Sequence, residues 1–538
     1  MNLLPASRRL KGALAGTALL LALAGCTDAL QSAADDASAA ESQLAAGNLD
    51  EARQSIRRAI AARDDVAGYY VLLGRIELRA QRPASAFNAY SMALDLQADN
   101  AEVLQSIAEL GLQTGRIREA EEAADRMLLL VPGSTRAMLV KGFIAIDNGQ
   151  LDDARRMATQ ILATNANDEG GIILSARIDA LQGNIAKAMT DISRAISVIG
   201  ETDALNVTLL EIYRVQGDAK GMRRIFPLIL KSMTEDATYQ IDFINLLYKS
   251  GDVAAARAET VKAIESKPND TSLLRALGEL WNEYDRRPLS ASQLAYLGES
   301  GTRATQIALA RFYLSHGEHE TARRLLMRPH SSGVVEAQGL MARVLLARGD
   351  AKRAEALAER LLAIDARNED SLLVRSARHL AAGRSDRAIE DANIVVSDSP
   401  EEYLGYVALA DAYRAKGSGI RARQTFERGV DALPQSRMLV DAYRNFLLAE
   451  GDTVRVVTLY QDLAMAKPSS VPAWTAYSRV CAEFGDALCA AKVTSGLARA
   501  RTSFAVDDRP GTPHRRGLFA RITPEQICAA TGGVCTGS

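Results

Sequence analysis

Residues 403–434 read YLGYVALADAYRAKGSGIRARQTFERGVDALP. Gly417 ends a first helix where the chain must turn through a left-handed conformation that a side chain disfavours. Ala422, five residues on, is small enough to let a second helix pack closely on the first. Working outward, the same glycine and alanine recur at Gly47/Ala52, Gly115/Ala120, Gly149/Ala154, Gly183/Ala188, Gly317/Ala322, Gly349/Ala354, Gly383/Ala388 and Gly485/Ala490. Gly217 and Gly251 keep the frame with Met222 and Ala256 at the alanine place. Most neighbouring glycines are 34 residues apart, and a fixed period of this size means a repeat array rather than a set of globular domains. Acidic or amide residues follow the glycines in "GNLDEA", "GQLDDA" and "GDAKRA", where they are expected to cap the second helix.

This pattern resembles the tetratricopeptide repeat. Tyr406, Leu409, Ala410, Tyr413, Gly417, Ala422, Phe426 and Pro434 stand at that family's signature offsets, and Trp474, Tyr477, Gly485 and Ala490 repeat much of the set. Prolines close units at Pro132, Pro268, Pro400, Pro434 and Pro468. The resemblance implies an all-α fold, an α-solenoid wound as a right-handed superhelix of about fourteen helix-turn-helix repeats over residues 33–504. The eighth unit departs from the pattern: Leu277, Gly278 and Trp281 open it well, but "YDRRPLSASQ" replaces the glycine turn. A joint is therefore expected at 285–302, between arrays at 33–284 and 303–504; a drifted repeat in an unbroken stack is the other reading.

A solenoid of this kind leaves a long concave wall of first helices. In the family, fixed positions of each unit face that wall. Carried over, they give a protein-binding groove of Arg75, Leu78, Glu109, Leu112, Leu139, Ile146, Ile173, Arg177, Ile307, Arg311, Leu314, Arg343, Leu346, Leu373, Leu380 and Asp411. Apolar stripes with mixed charges suit an extended peptide or a docked helix. Burial of several of these aliphatics between tightly wound repeats is the competing reading. The carboxylate clamp of chaperone-binding members is not expected, since Asn245 with Lys249 is one isolated fragment of it.

Other functions find little support. Aromatic residues make up only 5% of the chain and both tryptophans fall at signature positions, so the groove is not a sugar platform. A net charge of −2 without a basic block gives no reason to expect nucleic acid. There is no P-loop, nucleophile elbow or dinucleotide glycine pattern. His319-Glu320-Thr321-Ala322-Arg323 lacks the second histidine that a zinc protease needs one turn on. No catalytic residue, metal, cofactor or small-molecule ligand is expected, and His316, His319 and His330 read as solvated loop residues.

The N-terminus says where such an array would work. Arg8, Arg9 and Lys11 precede an apolar run from Ala13 to Ala24, the pattern of an export signal at 1–25. The run is shorter than the about 20 residues that cross a bilayer as a helix. Leu23-Ala24-Gly25-Cys26 resembles the bacterial lipobox, which implies cleavage before Cys26, its lipidation, and a short tether at 26–32. Thr27 stands where lipoproteins retained at the inner membrane often carry Asp, so the resemblance implies the periplasmic face of the outer membrane. Cys481/Cys489 and Cys528/Cys535 form two close pairs that match no common metal motif, and in an oxidising compartment they read as disulfides. The tail at 505–538 is a turn-rich linker followed by a cysteine-closed element, expected to cap the solenoid or to serve as a docking tag.

The layout resembles the lipoproteins of this repeat family that scaffold exopolysaccharide export or pilus and secretion machinery in Gram-negative bacteria. It implies a non-catalytic scaffold, anchored to the membrane by its N-terminal lipid and binding protein partners; an adaptor for cell-wall enzymes is the alternative.

Overall fold

A computed structural model describes residues 31–232, 237–331, 333–485 and 487–504. The leader with Cys26, the tail with Cys528 and Cys535, and the side chain of His330 lie outside the described residues. Among these, all regular structure is helical: twenty-eight helices pair into fourteen repeats. Each first helix is followed by a tight turn and an antiparallel second helix, as in Tyr403–Ala415 and Gly419–Ala432. Glycine takes a left-handed φ in these turns, from 72° at Gly217 to 87° at Gly349. Gly451 makes one more such turn, at φ 76°, followed by the buried Val456 in place of alanine.

The described chain divides at residues 212/213 into two compact units. In the first, Ala52, Ile56 and Ala59 pack on Ala40, Leu72 and Ile76. In the second, one core runs from Tyr406 and Phe426 through Tyr443 and Tyr460 to Trp474 and Tyr477. Neighbouring first helices touch one another within each unit. Ala101–Thr114 meets Thr135–Asp147, which meets Glu169–Leu181; in the second unit Ala237–Lys249, Thr271–Tyr284, Arg303–Ser315, Val335–Ala347 and Glu369–Ala381 form one such series. First helices therefore crowd the inner side of each unit and second helices lie outside.

The joint expected at 285–302 is not where the chain divides. Arg303–Ser315 packs directly on Thr271–Tyr284, so the second unit's inner series passes through the irregular repeat. Local hydrogen bonds replace the missing glycine. The Asp285 carboxylate accepts from Arg257 at 2.7 and 2.9 Å, from the Arg287 amide at 3.0 Å and from the Tyr248 hydroxyl at 3.3 Å. Ser290 and Gln293 form a reciprocal cap that starts a short second helix, Ala291–Ser300. Gln306 Nε2 then donates to the Leu297 and Gly298 carbonyls, both at 2.9 Å.

Two other sequence expectations need correction. Asn48 and Gln150 make no side-chain cap, whereas Asp252, Asp350 and Asp452 do; capping is more regular at the first helices, through Asn100, Ser134, Asp168, Asn368 and Ser436. Gly485 is extended, at φ −89°, so its glycine is not needed for a left-handed turn. It is needed for room. Cys481 and Cys489 are bonded across it, and a Cβ at Gly485 would lie 2.7 Å from the Cys481 carbonyl oxygen and 2.9 Å from the Cys489 sulfur.

Gln81 holds the second repeat's glycine place and has φ 55°, a left-handed value that costs a residue with a side chain roughly 1–2 kcal/mol. Gln81→Gly is expected to stabilise the first unit by about 1 kcal/mol after glycine's added chain entropy is counted. A denaturant midpoint that falls would contradict this.

Candidate protein-binding site

The inner wall of the first unit is more closed than the sequence suggests. Leu112, Leu139, Ile146 and Ile173 are buried, on three first helices that pack in series. Leu78 stays 41% exposed. Arg75 is exposed and paired with Glu102. Arg177 is buried with its guanidinium 5.2 Å from the centre of the Phe143 ring.

Glu109 carries the strongest local signal on this wall. Burial pushes its carboxyl up to about 7 against the opposing effects of Arg136 and Gln105, and its Oε1 accepts no hydrogen bond. The folded state thus keeps a proton that the unfolded chain loses above its ordinary value of 4.5. Stability of the first unit is expected to fall as pH rises from about 4.5 to about 7, by on the order of 3 kcal/mol. Glu109→Gln should remove that slope. Identical pH profiles for the variant and the parent would sink this assignment.

The second unit gathers its charges differently. Arg311 and Arg343, one repeat apart, both reach Asp370 on the next first helix: Arg311 at 3.1 and 3.2 Å, Arg343 at 2.7 Å. Burial alone would push the Asp370 carboxyl up, but the two guanidiniums overcome it and hold it below the usual carboxylate range. Asp370 in turn raises Arg311. Glu336 and Glu369 lie 3.7 Å from Arg311, and burial, then the charges of Asp370 and Glu402, raise Glu369. Ile307, Leu314 and Leu373 are buried, whereas Leu346 and Leu380 are half-buried and remain on the surface. Asp411 is also half-buried, paired with Arg414 at 2.9 Å, and its carboxyl is raised by burial.

Sequence reasoning found Arg311 and Arg343 but not Asp370. The signal was available, since Glu336 and Asp370 stand second in their first helices, a place that faces the same wall. It also missed a cavity of about 710 Å³. The second unit curls until Val471–Phe484 meets Thr271–Tyr284. Glu283 pairs with Lys467 and accepts from Ser470 Oγ at 3.1 Å, while Lys249 donates to the Ser469 carbonyl at 2.6 Å and to that of Ser503. The cavity lies beside these contacts, lined by Tyr248, Asn282, His316, Met438, Thr475 and Arg479 among others. Repeats so far apart in sequence give no local cue that they meet.

Residues 38–101 and 375–437 match the family described as tetratricopeptide repeat. Over 438 residues the chain is 25% identical to cellulose synthase operon protein C of Xanthomonas axonopodis pv. citri, an alignment covering 79% of this chain and 26% of that protein. It is 26% identical over 240 residues to cellulose synthase 1 operon protein C of Komagataeibacter xylinus, covering 40% of this chain and 17% of the other. The alignments thus span about a quarter or less of these curated relatives. A solved tetratricopeptide repeat protein from Parabacteroides merdae is 19% identical, with TM-score 0.38, covering 46% of this chain and 98% of that one.

Proposed function

From a chain built of tetratricopeptide repeats, we propose a non-catalytic scaffold that binds protein partners on the inner wall of its first helices and serves assembly of an envelope export system, exopolysaccharide secretion first among them. The observation that carries this is the wall itself. Successive first helices touch within each unit and present Leu78, Leu346 and Leu380 beside mixed charges, the kind of surface on which repeat proteins hold extended or helical segments. Similarity to one cellulose synthase operon protein over 79% of the chain, and to another over 40%, supports the export setting. The Cys481–Cys489 bond fits an oxidising compartment.

The anchor in this proposal is Cys26, with the protein on the periplasmic face of the outer membrane. Two or more acyl chains are needed for stable attachment, so removing their acceptor should be decisive. Cys26→Ser is expected to release the protein from the membrane fraction with its helix content unchanged. A variant that still sediments fully with outer membrane after a high-salt wash would contradict the lipid anchor.

A further inference from the structure

We propose that the cavity of the second unit recognises an acidic peptide segment of a partner protein, an inference that rests on the scaffold reading above. Each carboxylate in its wall already has a cation: Glu283 has Lys467, Asp285 has Arg257, and Asp441 has Arg437 at 2.8 Å. Arg286 and Arg479 also line the cavity and are exposed, and among the described residues neither has an ion-pair partner. The wall therefore carries uncompensated positive charge, and a planar guanidinium suits a carboxylate in two-point contact.

A second observation, the size of the cavity together with its aromatic side, separates a peptide from a simple anion. The stacked rings of Tyr248 and Tyr284, 5.5 Å apart, add an apolar side. A volume of about 710 Å³ is within the range of sites that enclose a ligand of a few residues.

The test uses the full mature chain and a fluorescein-labelled hexaglutamate peptide, read by fluorescence anisotropy. Binding is expected for the parent chain, with affinity falling at least about tenfold in Arg286→Gln/Arg479→Gln. A hexalysine peptide should not bind, and inorganic phosphate should not displace hexaglutamate at the concentration at which unlabelled hexaglutamate does. Circular dichroism melts should match; if they do not, Arg479→Lys, which keeps the charge but loses the fork, should still bind more weakly than the parent. Equal affinities, no binding by the parent, or equal displacement by phosphate would each overturn the proposal. Photocrosslinking from Leu346, on the wall outside this cavity, is run on the same variant. Partner capture there alongside failed hexaglutamate binding removes the cavity proposal alone, whereas no capture in the parent removes the scaffold reading.

Discussion

Asp370→Ala is expected to destabilise the second unit by about 2–3 kcal/mol, the cost of removing the buried carboxylate that two part-buried guanidiniums share. Asp370 is 3% exposed and is the common acceptor for Arg311 and Arg343; without it the two guanidiniums face each other across one repeat. Asp370→Asn should cost less, since the amide oxygen still accepts one bond. The pH dependence has a definite sign. Because the folded carboxyl titrates below its ordinary value, its contribution is complete above about pH 4 and is lost as pH falls through the lower folded value. Urea unfolding of the alanine variant within about 0.5 kcal/mol of the parent at pH 7 would show that the network does not hold these three repeats together.

Leu314→Glu is the second large effect, on the order of 3 kcal/mol or more. It replaces a side chain 8% exposed by a carboxylate, combining lost apolar burial with the desolvation of a charged group. Leu78→Glu changes the corresponding place of another repeat, but that leucine is 41% exposed, so its cost should stay within about 0.5 kcal/mol. The contrast separates what belongs to the core from what a partner can touch. Equal melting temperatures for both variants would mean that burial does not govern this wall.

These two leucines also mark how far the sequence could be read. The frame was legible because a left-handed turn and a close helix contact each constrain one residue, so the glycine and alanine seen at Gly417 and Ala422 recur in most units. Gln81 escaped because it meets the same backbone demand at a cost in strain. Partner-facing and core leucines were not separable by position: Leu78 and Leu112 hold equivalent places, but Leu112 is buried, on a helix that packs on the next first helix, whereas Leu78 is exposed. The Arg311, Arg343 and Asp370 cluster spans three repeats, and the contact of Lys249 with Ser469 spans far more. Such meetings depend on how much each repeat rotates on the last, which is a sum of small packing choices and leaves no motif.

The central claim, that the inner wall of first helices is where partners bind, is tested most directly by photocrosslinking in intact cells. A photoreactive phenylalanine analogue is placed in turn at Leu346 and Leu380 on first helices, and at Ile364 and Ile420, which are 75% and 77% exposed on second helices. The expected result is a discrete crosslinked species, with the same partner, from Leu346 and Leu380 and none from Ile364 or Ile420. Crosslinks confined to Ile364 and Ile420, or none from any of the four in cells where the export system is assembled, would contradict it.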